Sequence, residues 1–253
     1  MTGSLAIVGL GPGPDHWVVP EATAALAAAT DLVGYQPYVD RVPERAGLAR
    51  HGSDNRVEID RAKHALAMAA QGRNVAVVSG GDPGVFAMAA AVFEAVEDGE
   101  HAWRSLNISV IPGVSAMQAA AARLGAPLGH DFCAISLSDN LKPWAIVERR
   151  LRAAAEGDFV VALYNPASKA RPDRIHQAFT LLRAIKAGDT PVAFARAVGR
   201  PDEAIVLTTL AEADPGVADM STLVLIGSSE TRFVEKIGGR PWLLTPRTYG
   251  LGR

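Results

Sequence analysis

The sequence predicts an α/β fold, with two α/β domains. Three observations predict it. Short, β-branched apolar runs alternate with stretches of helical periodicity through the first half, the pattern of a mostly parallel sheet covered on both faces. Three of those runs pass directly into glycine-containing loops: GLGPG (9–13), GGDPG (80–84) and PGVSA (112–116). The second half sets strands one after another with little helix between them, which predicts a more mixed sheet. A chain of 253 residues, 49% of them apolar, can bury two cores of this kind. The domain boundaries are placed at 1–115 and 116–253.

The elements follow in order. LAIVG (Leu5–Gly9) reads as a buried strand. Pro20 opens a helix to Ala29 with Glu21 in its first turn. Leu32–Val33 marks a second strand, and Asp60–Gln71 a helix stopped by Gly72. NVAVVS (Asn74–Ser79) is a strand by its β-branched residues. A helix to about Val96 and the strand Leu106–Ile111 complete the half. Beyond the boundary, Phe132–Leu137, Phe159–Tyr164, Pro191–Ala195, Ala204–Leu210 and Thr222–Gly227 read as strands. Pro172–Lys186 reads as a helix, because Ile175, Phe179, Leu182 and Ile185 share one face. The tail after Gly238 is expected to be extended.

Charge and cysteine content exclude several classes of function. Lys+Arg total 25 against 27 Asp+Glu, a net charge of −2. That balance argues against nucleic acid or an anionic membrane as a partner held by bulk charge. Cys133 is the only cysteine, so disulfides and cysteine metal sites are excluded and a reducing, cytoplasmic location is expected. No signal peptide is read at the N-terminus. The uncharged run Ser105–Ala122 contains Arg-free but Pro112–Gly113-broken sequence, too interrupted for a membrane span. The six histidines have no ligand spacing with Asp or Glu, so no metal is expected.

The three loops point to a small-molecule site. Open α/β sheets bind ligands at the C-terminal ends of their strands, where these loops lie. GLGPG lacks the third glycine of a dinucleotide fingerprint, and Pro12 removes a backbone donor that a pyrophosphate would need. Asp82 in GGDPG would repel phosphate; it suits ribose hydroxyls, an amine or a cation, or it caps the next helix. Ser115 is a natural helix cap. YNPASKARP (Tyr164–Pro172) carries Lys169 and Arg171 after a strand and could bind carboxylates.

Together GLGPG, GGDPGVFAM, PGVSAMQAAAARLGAPLGHDF and TLVLIG resemble the tetrapyrrole methylases, class III S-adenosylmethionine-dependent methyltransferases, over about 230 residues. The strings GYQPYVDRV, ISLSDNLKPWAIVERRL, LYNPASKARP and RAVGRPDE are similar to the branch that methylates C17 of a precorrin and promotes contraction of its ring. After GPG the family has Asp; here Pro14 intervenes before Asp15. The resemblance implies a homodimer that folds S-adenosyl-L-methionine between its domains, with S-adenosyl-L-homocysteine as product. Carried over by motif, the cofactor contacts are Pro12, Gly80, Gly81, Asp82, Val85, Ser115, Ala116, Asn165, Val198 and Thr222. Candidates for the proton transfers of ring contraction are Asp15, His130, Asp139 and Tyr164. Candidate anchors for the substrate carboxylates are Arg41, Arg45, Lys142, Arg149, Lys169 and Arg171. Within the same fold, the alternatives are the cobalt-containing counterpart and another corrin methyltransferase. From a different class, the alternative is a non-catalytic ligand-binding protein.

Overall fold

The computed structural model describes residues 3–55, 57–168 and 171–249. It divides into two compact units, Met1–Ala116 and Met117–Arg253.

Unit 1 is built from β1 (Ser4–Gly9), α1 (Pro20–Ala28), β2 (Asp31–Tyr35), α2 (Gln36–Val39), β3 (Ala49–Ser53), α3 (Glu58–Ala70), β4 (Asn74–Ser79), α4 (Met88–Asp98) and β5 (Asn107–Ile111). The strands form one sheet in the order β3-β2-β4-β1-β5, and every pairing in it is parallel. Strand alternation sends side chains to two cores. Leu5, Ile7, Val75 and Val77 pack with Ala62, Leu66 and Val92 of α3 and α4. Val8, Ala76 and Val78 pack with Ala22 of α1 and Val39 of α2 on the other side. Burial on both faces is why these strands read as unbroken apolar runs. α3 ends where Gly72 takes φ 89°, a left-handed conformation that glycine adopts without a Cβ penalty.

Unit 2 opens with α5 (Ala116–Leu124), which begins at the unit boundary. There follow β6 (Gly125–Ala126), β7 (Phe132–Ser136), α6 (Trp144–Glu156), β8 (Val160–Tyr164), α7 (Arg174–Arg183), β9 (Pro191–Arg196), β10 (Ala204–Thr209), β11 (Thr222–Ile226), β12 (Arg232–Val234) and β13 (Trp242–Leu244). The main sheet runs β10-β9-β11-β8-β7. It is mixed: β7 and β8 are parallel, whereas β9 and β11 are antiparallel to their neighbours. Ile175, Phe179 and Leu182 of α7 are buried with Val147 and Leu151 of α6 against Val161 and Leu163. The tail expected to be merely extended contributes β13, which pairs with β12 and with the two-residue β6.

Candidate active site

The parallel pairs β4-β1-β5 bring their C-terminal ends side by side, and the three glycine loops leave from there. Their backbones touch. A Cβ on Gly9 would stand 2.7 Å from the Gly113 nitrogen, and one on Gly113 would stand 2.4 Å from the Gly81 carbonyl oxygen. Both separations are forbidden to real side chains, so only glycine permits this cradle. Gly11 N–H donates to the Gly81 carbonyl at 3.1 Å, with both glycines left-handed at φ 64° and 67°. Asp82 joins two of the loops. Its Oδ1 accepts from Gly84 N–H at 2.8 Å and its Oδ2 from Gly113 N–H at 3.0 Å. The expected cap of the following helix is not made: α4 begins at Met88 with Ala87 before it and no side-chain cap. Both carboxylate oxygens of Asp82 are taken instead by the loop amides of Gly84 and Gly113. Pro12, Gly80, Val85 and Ala116 are partly exposed around the cradle, and Ser115 is buried.

Arg41, expected on a substrate carboxylate, reaches back to the first loop. Its guanidinium donates to the carbonyls of Leu10 (2.8 Å), Gly11 (2.7 Å) and Gly13 (2.8 Å). Pro12 and Pro14 remove local donors from this loop, and Arg41 supplies donors from 28 or more residues away. Arg45 likewise donates to the Leu26 and Ala29 carbonyls at the end of α1. Sequence spacing shows no sign of either contact. Asp15 is exposed on a short 3₁₀ turn, Asp15–Trp17. It lines a cleft of about 310 Å³ with Leu10, Val18, Leu26, Arg41 and Val42.

In unit 2, Asp139 and Tyr164 lie at the C-terminal ends of the parallel pair β7/β8. The Tyr164 hydroxyl accepts from Met117 N–H at 3.0 Å. Asn165 follows it at φ 51°, and its amide donates to Ser136 Oγ at 3.0 Å. Asp139 is held by Arg174, whose Nε and Nη2 approach Oδ2 at 2.8 and 2.5 Å. Arg171 Nε lies 3.7 Å from the other oxygen. Burial raises the Asp139 carboxyl, but the Arg174 bond, its own backbone amide and the two cations outweigh this and hold it below the usual carboxylate range. Such a carboxylate stays ionised at neutral pH and orients charge. Lys142 donates to the Ser138 carbonyl at 3.0 Å. Burial, then Arg150 and Arg171, lower its ammonium against an opposing effect of Asp139. Arg149 is exposed on α6, two residues beyond buried Val147. Lys169 lies outside the described residues.

His130 does not join this group. It precedes β7, so the five residues of that strand, at about 3.3 Å each, separate it from the loop that carries Asp139. Its ring instead lies 5.2 Å from that of Tyr249. Val198 is buried in a turn where Ala197 and Gly199 take φ 49° and 82°. Thr222 donates to Asp219 Oδ1 at 2.7 Å. Sequence reasoning passed over Trp144, Ser168 and Arg174 beside the two unit-2 loops. The one available signal was a third cation closely following Arg171. Among the described residues, no group of three or more His, Cys, Asp or Glu could hold a metal ion, and no helix is long and apolar enough to cross a membrane.

A backbone-lined glycine cradle on a parallel sheet, followed by a mixed-sheet unit, defines the class: residues 4–214 match the Tetrapyrrole (Corrin/Porphyrin) Methylases, and the chain belongs to that family. At closer range it is 57% identical over 249 residues to the precorrin-3B C(17)-methyltransferase of a Sinorhizobium species, covering 98% of each chain. It is 55% identical to the crystal structure of the methyltransferase CobJ, with a TM-score of 0.92 over 96% of this chain and 100% of that one. A Thermus thermophilus uroporphyrin-III C-methyltransferase, crystallised with S-adenosyl homocysteine, shares the fold at 22% identity. Its TM-score is 0.65, over 89% of this chain and 97% of that one.

Proposed function

We propose that this protein transfers a methyl group from S-adenosyl-L-methionine to C17 of precorrin-3B, with ring contraction to precorrin-4, in cobalamin biosynthesis. The observation that carries the reading is the glycine cradle, in a chain that matches a precorrin-3B C(17)-methyltransferase along nearly its whole length.

The cradle fits the cofactor chemically. It offers main-chain donors and acceptors and one carboxylate, and its two prolines and Asp82 make it a poor seat for phosphate. Gly80, Gly81, Asp82 and the Ser115–Ala116 backbone would hold the cofactor in unit 1. Asn165, Val198 and Thr222 are the proposed contacts from unit 2. When bound, the sulfonium supplies an already activated methyl group, so the protein need not provide a covalent nucleophile. The chain's residues position the acceptor carbon and exclude water, an effect on the order of 7–11 kcal/mol of barrier. Ring contraction also moves protons. Asp15, exposed on its cleft, and the Tyr164 hydroxyl are the groups proposed for that task, and Asp139 is the group least suited to it, because its cations keep it ionised.

The test is methyl transfer from labelled S-adenosyl-L-methionine to precorrin-3B, read by product mass. Incorporation of one methyl with the mass of precorrin-4 is expected. Tight binding of S-adenosyl-L-homocysteine without turnover of precorrin-3B would make the chain a binding protein, or an enzyme for a different corrin.

A further inference from the structure

The ligand-binding edge of unit 1 extends beyond the cradle. Parallel sheets bind at the C-terminal ends of their strands, and this sheet runs β3-β2-β4-β1-β5. The glycine loops occupy the ends of β4, β1 and β5. The ends of β2 and β3, next along the same edge, carry side chains instead. Tyr38, on the short helix α2 that follows β2, lies against the cradle itself: a Cβ on Gly80 would stand 2.7 Å from its Cζ and 2.9 Å from its hydroxyl oxygen. The ring is fixed there from two sides. Tyr35 meets it edge-on, 5.5 Å away between ring centres. Further along the same segment, Arg41 donates to the Leu10, Gly11 and Gly13 carbonyls, so residues 38–41 are stitched to both the first and the second glycine loop. The Tyr38 hydroxyl is nonetheless left over. It makes no hydrogen bond among the described residues, and it is not one of the buried unpartnered atoms, so it opens to solvent. Tyr164, a second phenol at a strand end, is already engaged by the Met117 amide. Charge points the same way. Arg61, 6% exposed, donates to neutral groups alone among the described residues: Ser53 Oγ at 2.8 Å, the Asp54 carbonyl at 2.6 Å and the Met88 sulfur at 3.4 Å. Ser53 is the register partner of Tyr35, which touches Tyr38. A buried cation with no carboxylate partner favours negative charge that develops on a neighbouring oxygen.

We infer that Tyr38 is a further catalytic residue, whose phenol touches the acceptor at the edge of the cradle and gives its proton to a substrate oxygen during ring contraction. The electron pair of the broken O–H bond stays on the phenolate, and water restores the proton once product has left. A rigid ring with an uncommitted hydroxyl is preorganised for a ligand atom, because no hydrogen bond within the fold has to be broken before it acts. The inference rests on the methyl-transfer reading for its reaction. It assigns to unit 1 a proton donor that neither glycine spacing nor the family's motifs pick out.

One test needs no turnover. The chain has 4 tyrosines, so tyrosine labelled with carbon-13 at Cζ gives a simple spectrum, in which Tyr38→Phe identifies the Tyr38 resonance. Uroporphyrin is titrated into the protein with S-adenosyl-L-homocysteine bound, and that resonance is expected to move saturably. A Tyr38 resonance that stays in place at the highest uroporphyrin concentration overturns the contact. The second test is turnover of precorrin-3B. Tyr38→Phe keeps the ring against Gly80 and removes only the hydroxyl, so its melting temperature should match the wild type. Its kcat is expected to fall about 100-fold or more, with KM and the Kd of S-adenosyl-L-homocysteine within about twofold of wild type. Tyr35→Phe should turn over like the wild type. A kcat within about twofold of wild type in Tyr38→Phe, a loss confined to KM, or an equal fall in Tyr35→Phe would each overturn the assignment. An inactive wild type sinks the proposed function, whereas an active wild type with a full-rate Tyr38→Phe sinks this residue's role alone.

Discussion

At the scale of single residues, Asp158 shows how far one carboxylate can organise its surroundings. It accepts from Lys186 Nζ at 2.9 Å, from the Ser229 amide and hydroxyl, and from the Tyr249 hydroxyl at 2.7 Å. Burial raises its carboxyl, but the bonds from Ser229, Tyr249 and Lys186 outweigh burial and hold it at about 2. A folded-state value below the unfolded 3.8 gives stability that is present above pH 4 and is lost as pH falls towards 2. Asp158→Asn keeps a residue that tolerates the φ of 55° and removes the charge. It should cost about 2 kcal/mol at pH 7 and progressively less below pH 4, read from urea unfolding at both pH values. Asp82 acts differently: it ties loop backbones together, so its loss should leave global stability nearly intact. Asp82→Ala is expected to weaken S-adenosyl-L-homocysteine binding by about tenfold in calorimetry. Unchanged affinity would reduce Asp82 to a local turn.

At the scale of elements, two tests separate packing from close approach. Phe179, fully buried on α7 and stacked 5.9 Å from Phe194, anchors that helix to the sheet. Phe179→Ala should cost about 3–5 kcal/mol in urea unfolding, without changing cofactor affinity in the protein that remains folded. Gly113→Ala adds one carbon against the Gly81 carbonyl, so loop shifts costing about 1–3 kcal/mol and a loss of cofactor binding are expected. The strands that carry the cradle were legible in the sequence because burial on two faces writes long β-branched runs such as Asn74–Ser79. β3 was not. ARHGS has no apolar alternation, and it is held by backbone pairing to β2 and by Arg50 donating to the Val39 and Val42 carbonyls. β12 and β13 were hidden because each is three residues long, and β13 also depends on β6, more than a hundred residues earlier. The site divides the same way. Glycine spacing announced the loops, but the reach of Arg41 and the grip of Arg174 on Asp139 are long-range contacts that no local pattern encodes.

For the whole molecule, the neutral charge balance and the loop chemistry lead to tests in solution. NAD and ATP at millimolar concentration should produce no saturable thermal shift, because Pro12, Pro14 and Asp82 oppose phosphate at the cradle. We propose a homodimer, for which light scattering should give about twice the 26.5 kDa of the chain. A monomer mass across the working concentration range would reject it. The cradle also sets terms for evolutionary change. Where a surface is made of main-chain atoms packed to exclude even a methyl group, nearly every coding change at Gly9 or Gly113 is a loss. The loops after β7 and β8 are held instead by side chains, such as Arg174 on Asp139, so drift there leaves the cradle untouched. A lineage built this way is free to change its acceptor molecule while keeping its methyl donor fixed, and divergence among relatives should concentrate on the β7 and β8 loops.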